Sequence, residues 1–313
     1  MPPLPPAKDV LDALHHTALP AAAGAALVVC AFLSMGRWAG ALGSAAAVVV
    51  GFGWANYTFD SLSWTNTGRV TPWFPEEGSP AWHGLPRAVL IVLPVGLVSR
   101  WFGLLVGRLL DERRWWGANL LTWAARVGVV AVVAPGLVPG PWASEYSWLK
   151  PALVGVMLLL WVALDGMARD RAGSEVAAYL AAAFLAGGVV LLYAHSARFM
   201  DLGVMCGCAA AGVAVAVFPT RGDASGAVPL GVVGLPALML NGRYQLTDHQ
   251  VPLAAFCLAA LAPLVLLPFL IPRLARQPRW VIVPLRALLV LGPLIAAVVL
   301  AQQHEKLPFE EEW

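Results

Sequence analysis

The chain has 313 residues, of which 59% are hydrophobic and 12% charged, with a mean hydropathy of +0.73 and a formal net charge of +2. An ordinary soluble domain carries about 25% charged residues, so a water-soluble core is excluded as the place where this much apolar surface is buried. The positive charge is small and scattered, which excludes nucleic acid as a partner and leaves the lipid bilayer as the expected environment.

In chain order, the N-terminal tail 1–16 is proline-rich from Met1 to Pro6 and lacks the basic region of a signal peptide, so no cleavage is expected. Apolar runs then predict transmembrane helices over 17–35, 38–55, 87–108, 115–137, 150–168, 176–195, 202–219, 227–241, 251–271 and 280–301. A helix needs about 20 apolar residues to cross about 30 Å of hydrocarbon, and 251–271 meets that length without one charge. The expected fold is all-α: a polytopic bundle of ten spans forming one integral membrane domain over 1–313, closed by an acidic tail at 302–313. Pro94 and Arg100 predict a kink in the third span. The eighth is short, holds Pro229 and Pro236, and reads as a spanning or a re-entrant segment. Gly103 with Gly107 and Gly203 with Gly207 are four apart, the spacing at which small residues let helix backbones approach closely in lipid.

Loop charges set the expected orientation. The segments after spans one, three, five, seven and nine hold Arg37, Arg108, Arg113, Arg114, Arg169, Arg171, Arg221, Arg273, Arg276 and Arg279, against Lys8, Arg69, Arg87, Lys150, Arg198, Arg243 and Lys306 on the other side. A cytoplasmic excess of Lys and Arg places the first set inside and both termini outside. Seventeen arginines against three lysines, with abundant Ala and Gly, match a GC-rich bacterial coding bias and point to a bacterial inner membrane.

That orientation collects polar side chains outside. The long Trp-rich segment 56–86 carries Asp60, Trp64, Trp73, Glu76, Glu77, Trp82 and His83, and other outer connections add Trp142, Glu145, His195, Arg198, Asp201, Arg243, Tyr244, Asp248 and His249. Most of the fourteen tryptophans read as interfacial anchors. Glu76, Glu77, His83, His195, Asp201 and His249 form the candidate ligand-binding set, on condition that the 56–86 segment folds over the bundle mouth.

Inside the spans stand Arg100, Arg126, Asp165 and Arg286. An isolated charge there costs about 2.5 kcal/mol or more, so pairing is expected, with Asp165 the only acidic candidate and Arg126 near the midplane. Cys30, Cys206, Cys208 and Cys257 fall within spans as apolar packing residues, and neither a metal nor a cofactor is expected.

The run Asp165-Gly166-Met167-Ala168-Arg169 resembles the opening of the CDP-alcohol phosphotransferase signature. That family spaces its Asp-Gly and Ala-Arg pairs further apart and adds later paired aspartates, and 176–191 holds no acidic residue, so the two-metal carboxylate cluster cannot be built. Size and span count are similar to those of the drug/metabolite transporter superfamily, whose carriers keep both termini inside and are built from two repeats; neither feature is found here. Paired-histidine, Walker and nucleophile-elbow motifs are missing. Three classes remain: a carrier of a small solute or lipid through a bundle cavity, a non-catalytic accessory subunit with membrane-protein partner chains, and a membrane-embedded enzyme acting at the extracytoplasmic face.

Overall fold

The computed structural model describes residues 15, 18–34, 40–63, 85, 88–89, 91–98, 112–169, 173–194, 196–219, 222–244, 251–271, 274 and 277–304. All regular structure among them is helical. Helix α1 spans Leu19–Ser34, α2 Gly40–Ser63, α3 Glu112–Leu137, the short α4 Gly140–Glu145, α5 Leu149–Arg169, α6 Gly173–Tyr193 and α7 Ala197–Val217. A composite segment follows, with a 3-10 turn at Ser225–Ala227, a π-helical stretch at Leu230–Gly234 and α8 at Leu235–Tyr244. Helix α9, Leu253–Leu261, continues into a 3-10 stretch over Ala262–Leu270, and α10 spans Arg279–Gln303.

Seven of these segments are long and apolar enough to cross a membrane: Asn119–Leu137, Leu149–Ala168, Gly173–Tyr193, Phe199–Val217, Ser225–Tyr244, Leu253–Leu270 and Arg279–Gln303. The chain is therefore an integral, multi-pass helical protein. Leu19–Ser34 and Gly40–Gly51 are shorter apolar helices, and in the expected third span the described helix covers 91–98.

Three expectations need correction. The break expected at 56 is helical as far as Ser63, because the first Gly or Pro after Gly53 is Gly68 and nothing stops the helix where hydropathy falls; residues 64–84 lie outside the described residues. The eighth span is longer than 227–241 and runs the full length from Ser225 to Tyr244. The sixth begins at Gly173, which brings Glu175 into its first turn.

The π-helical stretch and the 3-10 stretch over Ala262–Leu270 each have a proline to explain them. Pro236 lacks an N–H and its ring crowds the Val232 carbonyl, and the turn before it widens to the π form of Leu230–Gly234. Pro263 and Pro268 deny donors in the same way, and the chain past Leu261 tightens to 3-10 winding.

Segment 225–244 is the axis of the molecule. Of its most apolar 18-residue stretch 94% is buried, against 28% for α10, which turns Leu288 and Ile295 outward as a lipid-facing side chain should. Around the axis stand α2, α5, α6, α7 and α9. Helices α6 and α7 pack along their length, α1 and α2 pair and lie on α7, and α10 covers α6 and α9.

Since lipid tails are as apolar as leucine, close packing rather than water exclusion holds such helices together. Glycine supplies the closeness. A Cβ at Gly203 would stand 3.2 Å from the Gly188 Cα and the Phe184 carbonyl, and one at Gly207 would be 3.2 Å from the Ala181 carbonyl, so the Gly203/Gly207 pair seats α7 on α6 as its spacing implied. At the axis, a Cβ on Gly226 would collide with the Ala41 carbonyl of α2, and one on Gly96 would lie 2.6 Å from the Pro229 ring. Gly103 and Gly107 lie outside the described residues.

Gly226→Ala should therefore lower the thermal midpoint in detergent, by the equivalent of about 1–3 kcal/mol for an overpacked contact that has backbone on both sides. Gly292→Ala, where a Cβ meets nothing within 4 Å, should leave it unchanged or raise it by up to about 1 kcal/mol. Equal behaviour of the two variants in a thermal-shift measurement would contradict this account of the axis.

Candidate functional site

Among the described residues the most enclosed charged groups form an ion pair. Asp165 lies one turn from the end of α5, Arg126 is on α3, and their side chains meet with Arg126 Nη1 2.8 Å from Asp165 Oδ2. The two side chains are 1% and 6% exposed, so each charge needs the other. The Arg126 guanidinium also lies 5.0 Å from the Trp123 ring centre and 5.1 Å from that of Trp161. Trp123 precedes Arg126 by three residues and Trp161 precedes Asp165 by four, so each helix brings one ring and one charge to the same face. The two π faces add favourable electrostatics to a desolvated cation. Arg126 lies seven residues past Asn119, where the apolar stretch of α3 begins, about 10 Å along the helix and two residues short of the middle of that stretch.

A second pair corrects the expectation that Asp165 is the only acidic partner. Arg286 Nη1 on α10 donates to Glu175 Oε2 on α6 at 3.2 Å, and the guanidinium lies 5.3 Å from the Phe269 ring centre. Glu175 escaped the sequence reading because hydropathy started that span at 176. The available signal was its place beside Gly173, in a first helical turn where a carboxylate faces the positive end of the helix dipole.

Both pairs lie toward one end of the bundle, where α5, α7 and the 3-10 stretch end and α6, the axis and α10 begin. A Cβ on Gly173 would come within 2.7 Å of the Gly222 carbonyl, which fixes α6 against the start of the axis. There the Ser225 backbone N–H donates to Asp223 Oδ1 at 2.8 Å, an Asx turn that leads into the axis.

Of the predicted outer set, the structure describes one residue, at the opposite end of the bundle. Asp201 is half-buried in the second turn of α7. Glu76, Glu77, His83, His195 and His249 lie outside the described residues, so the cup they were expected to form has no described geometry. What the structure does describe at this end was missed from sequence. Asn241 Nδ2 donates both to Leu137 O at 3.1 Å and to Ala237 O at 2.9 Å, tying the axis to the last turn of α3. Trp142 meets Tyr244 edge-on with ring centres 5.3 Å apart, and Arg243 lies 6.0 Å from the Phe256 ring centre. Beyond the spans, a hydrogen bond with the Glu145 carboxylate holds the exposed Tyr146 phenol above its ordinary value. Among the described residues no three or more His, Cys, Asp or Glu side chains come together as metal ligands, and the four cysteines are free thiols.

Chemically, the arrangement offers two neutralised charge pairs at one end, one buried and one partly buried, an irregular buried axis, and an aromatic and amide clamp at the other. Comparison with family models, with curated proteins and with solved structures finds no match for this chain.

Three thermodynamic cycles test the pair assignment. Asp165→Asn should cost about 3 kcal/mol by leaving Arg126 buried without its counter-charge, and adding Arg126→Gln should recover part of that loss. Adding Arg286→Gln to Asp165→Asn should give additive losses, whereas Glu175→Gln and Arg286→Gln should be coupled to each other. Unfolding in detergent reads all three combinations, and coupling between Asp165 and Arg286 would overturn the assignment.

Proposed function

We propose that this protein is a carrier for a small solute or lipid, and that the path runs along the segment Ser225–Tyr244. The observation that supports this reading is the mismatch between where the segment lies and how it is wound. It is the most enclosed of the seven membrane-length segments, yet it passes through 3-10, π and α winding within 20 residues. Regular α-helix is the least costly way to satisfy backbone groups away from water, and irregular backbone at membrane depth belongs where protein or a cavity surrounds it. In carriers, discontinuous helices supply the binding site and the points at which halves of the bundle move. The neighbouring segment Leu253–Leu270 changes winding midway as well.

In this reading the chain crosses the membrane ten times, with both termini extracytoplasmic and the arginine-rich connections in the bacterial cytoplasm. Glu76, Glu77, His83, His195, Asp201 and His249 form the outer mouth. The Arg126–Asp165 pair flanks the inner half, its charges balanced so that a passing ligand meets no net charge. Asn241 and Leu137 hold the outer half of the axis to α3 while the π turn allows the inner half to shift.

Substituted cysteines test the path without knowledge of the substrate. In a background lacking Cys30, Cys206, Cys208 and Cys257, Ser225→Cys, Val232→Cys and Met239→Cys place thiols along the buried axis. A charged methanethiosulfonate reagent in intact vesicles should reach Ser225→Cys from one side and Met239→Cys from the other. Failure to react at all three positions would mean a sealed core and end the carrier reading. Ser147→Cys and Arg279→Cys, at opposite ends, should label from opposite sides with an impermeant maleimide, Arg279→Cys from the cytoplasm.

A further inference from the structure

The Glu175–Arg286 pair has more hydrogen-bonding capacity than its protein partners use. Arg286 and Tyr179 are 8% and 7% exposed, yet Arg286 Nε and the Tyr179 hydroxyl have no hydrogen-bond partner among the described residues. Tyr179 follows Glu175 by four residues on α6, so carboxylate and phenol share one helix face, which α10 covers with Arg286. Phe269 backs the guanidinium, and one edge is open: the Glu175 side chain is 21% exposed.

Depth and charge define what can use these groups. Glu175 is in the first turn of α6, and Arg286 is two turns into α10 with a side chain that sweeps back toward the start of its helix. Long basic side chains so placed reach headgroup level. The cluster has a carboxylate and a guanidinium and so no net charge. A purely anionic ligand would meet Glu175, and a purely cationic one Arg286. A ligand carrying an ammonium and a phosphate on a short tether satisfies both, the ammonium donating to Glu175 and the phosphate oxygens accepting from Arg286 Nε–H and Tyr179 O–H.

We propose that Glu175, Tyr179 and Arg286 bind a phosphoethanolamine group, supplied by a phospholipid at the bundle surface. A primary ammonium is specified over a quaternary one because only the former can donate a hydrogen bond to Glu175. This site is separate from the axis and stands whether or not the axis carries a solute.

The test measures thermal midpoint and lipid retention by native mass spectrometry for the full chain in detergent, titrated with short-chain phosphatidylethanolamine, phosphatidylcholine or phosphatidylglycerol, or with soluble phosphoethanolamine. Phosphatidylethanolamine should stabilise saturably and at lower concentration than the other two lipids. Tyr179→Phe, which removes one oxygen, should weaken that response about five-fold, as expected for one lost hydrogen bond. Arg286→Lys, which has no Nε–H, should weaken it at least as much. Glu175→Gln should erase the preference over phosphatidylcholine, and Thr122→Val, at a buried hydroxyl on α3, should change nothing. Stabilisation by soluble phosphoethanolamine as strong as by the lipid would support the recognition chemistry and assign it to a solute. Equal response to all three lipids, or a preference that survives both Tyr179→Phe and Arg286→Lys, would overturn the proposal.

Discussion

Backbone groups in lipid must be satisfied within the chain, and the segment Ser225–Tyr244 is where this protein meets that demand with the least regular geometry. Everything around it is arranged to make the irregularity tolerable. Gly226 lets the α2 backbone come against the first turn, Gly231 and Gly234 receive Leu180 and Phe184 from α6, and Gly242 receives Leu191. Side chains at these places would hold the surrounding helices away and leave the π stretch without the cover that keeps its carbonyls from lipid. Proline makes the axis irregular, and glycine encloses it.

The charges obey the same logic of enclosure. Arg126 with Asp165 joins the successive long helices α3 and α5, Arg286 with Glu175 joins α6 to the distant α10, and each guanidinium also lies over an aromatic ring. Such pairs are weak sources of stability, since desolvation offsets most of the attraction, but they are specific: one wrong neighbour leaves a buried charge unmatched. They therefore select among the ways in which similar apolar helices could pack.

Hydropathy located the helical segments because bilayer thickness imposes a length, and the described helices at 19–34, 112–137, 149–169 and 279–303 lie close to where composition put them. It misplaced ends, because hydropathy reports the edge of lipid while helices stop at glycine, proline or a cap; thus α2 runs on to Ser63 and α6 starts before Glu175. That offset hid the acidic partner of Arg286. Asp165 was legible as a membrane charge in need of a cation, but two arginines were eligible, and choosing between them required knowing that α3 packs on α5. The Asn241 bridge was not legible at all, since a lone amide near a helix end carries no spacing signal. For the outer carboxylates and histidines, sequence supplied chemistry without the distances that decide whether it converges.

The 3-10 winding of Ala262–Leu270 has a metric consequence. A 3-10 helix rises about 2.0 Å per residue against about 1.5 Å in an α-helix, so Leu253–Leu270 reaches about 32 Å where a uniform α-helix of that length would reach about 27 Å. The difference separates a segment that covers the hydrocarbon from one that falls short of it. Pro263 and Pro268 act as a covalent ruler, drawing an 18-residue stretch out to membrane thickness and delivering Ile271 to the water boundary.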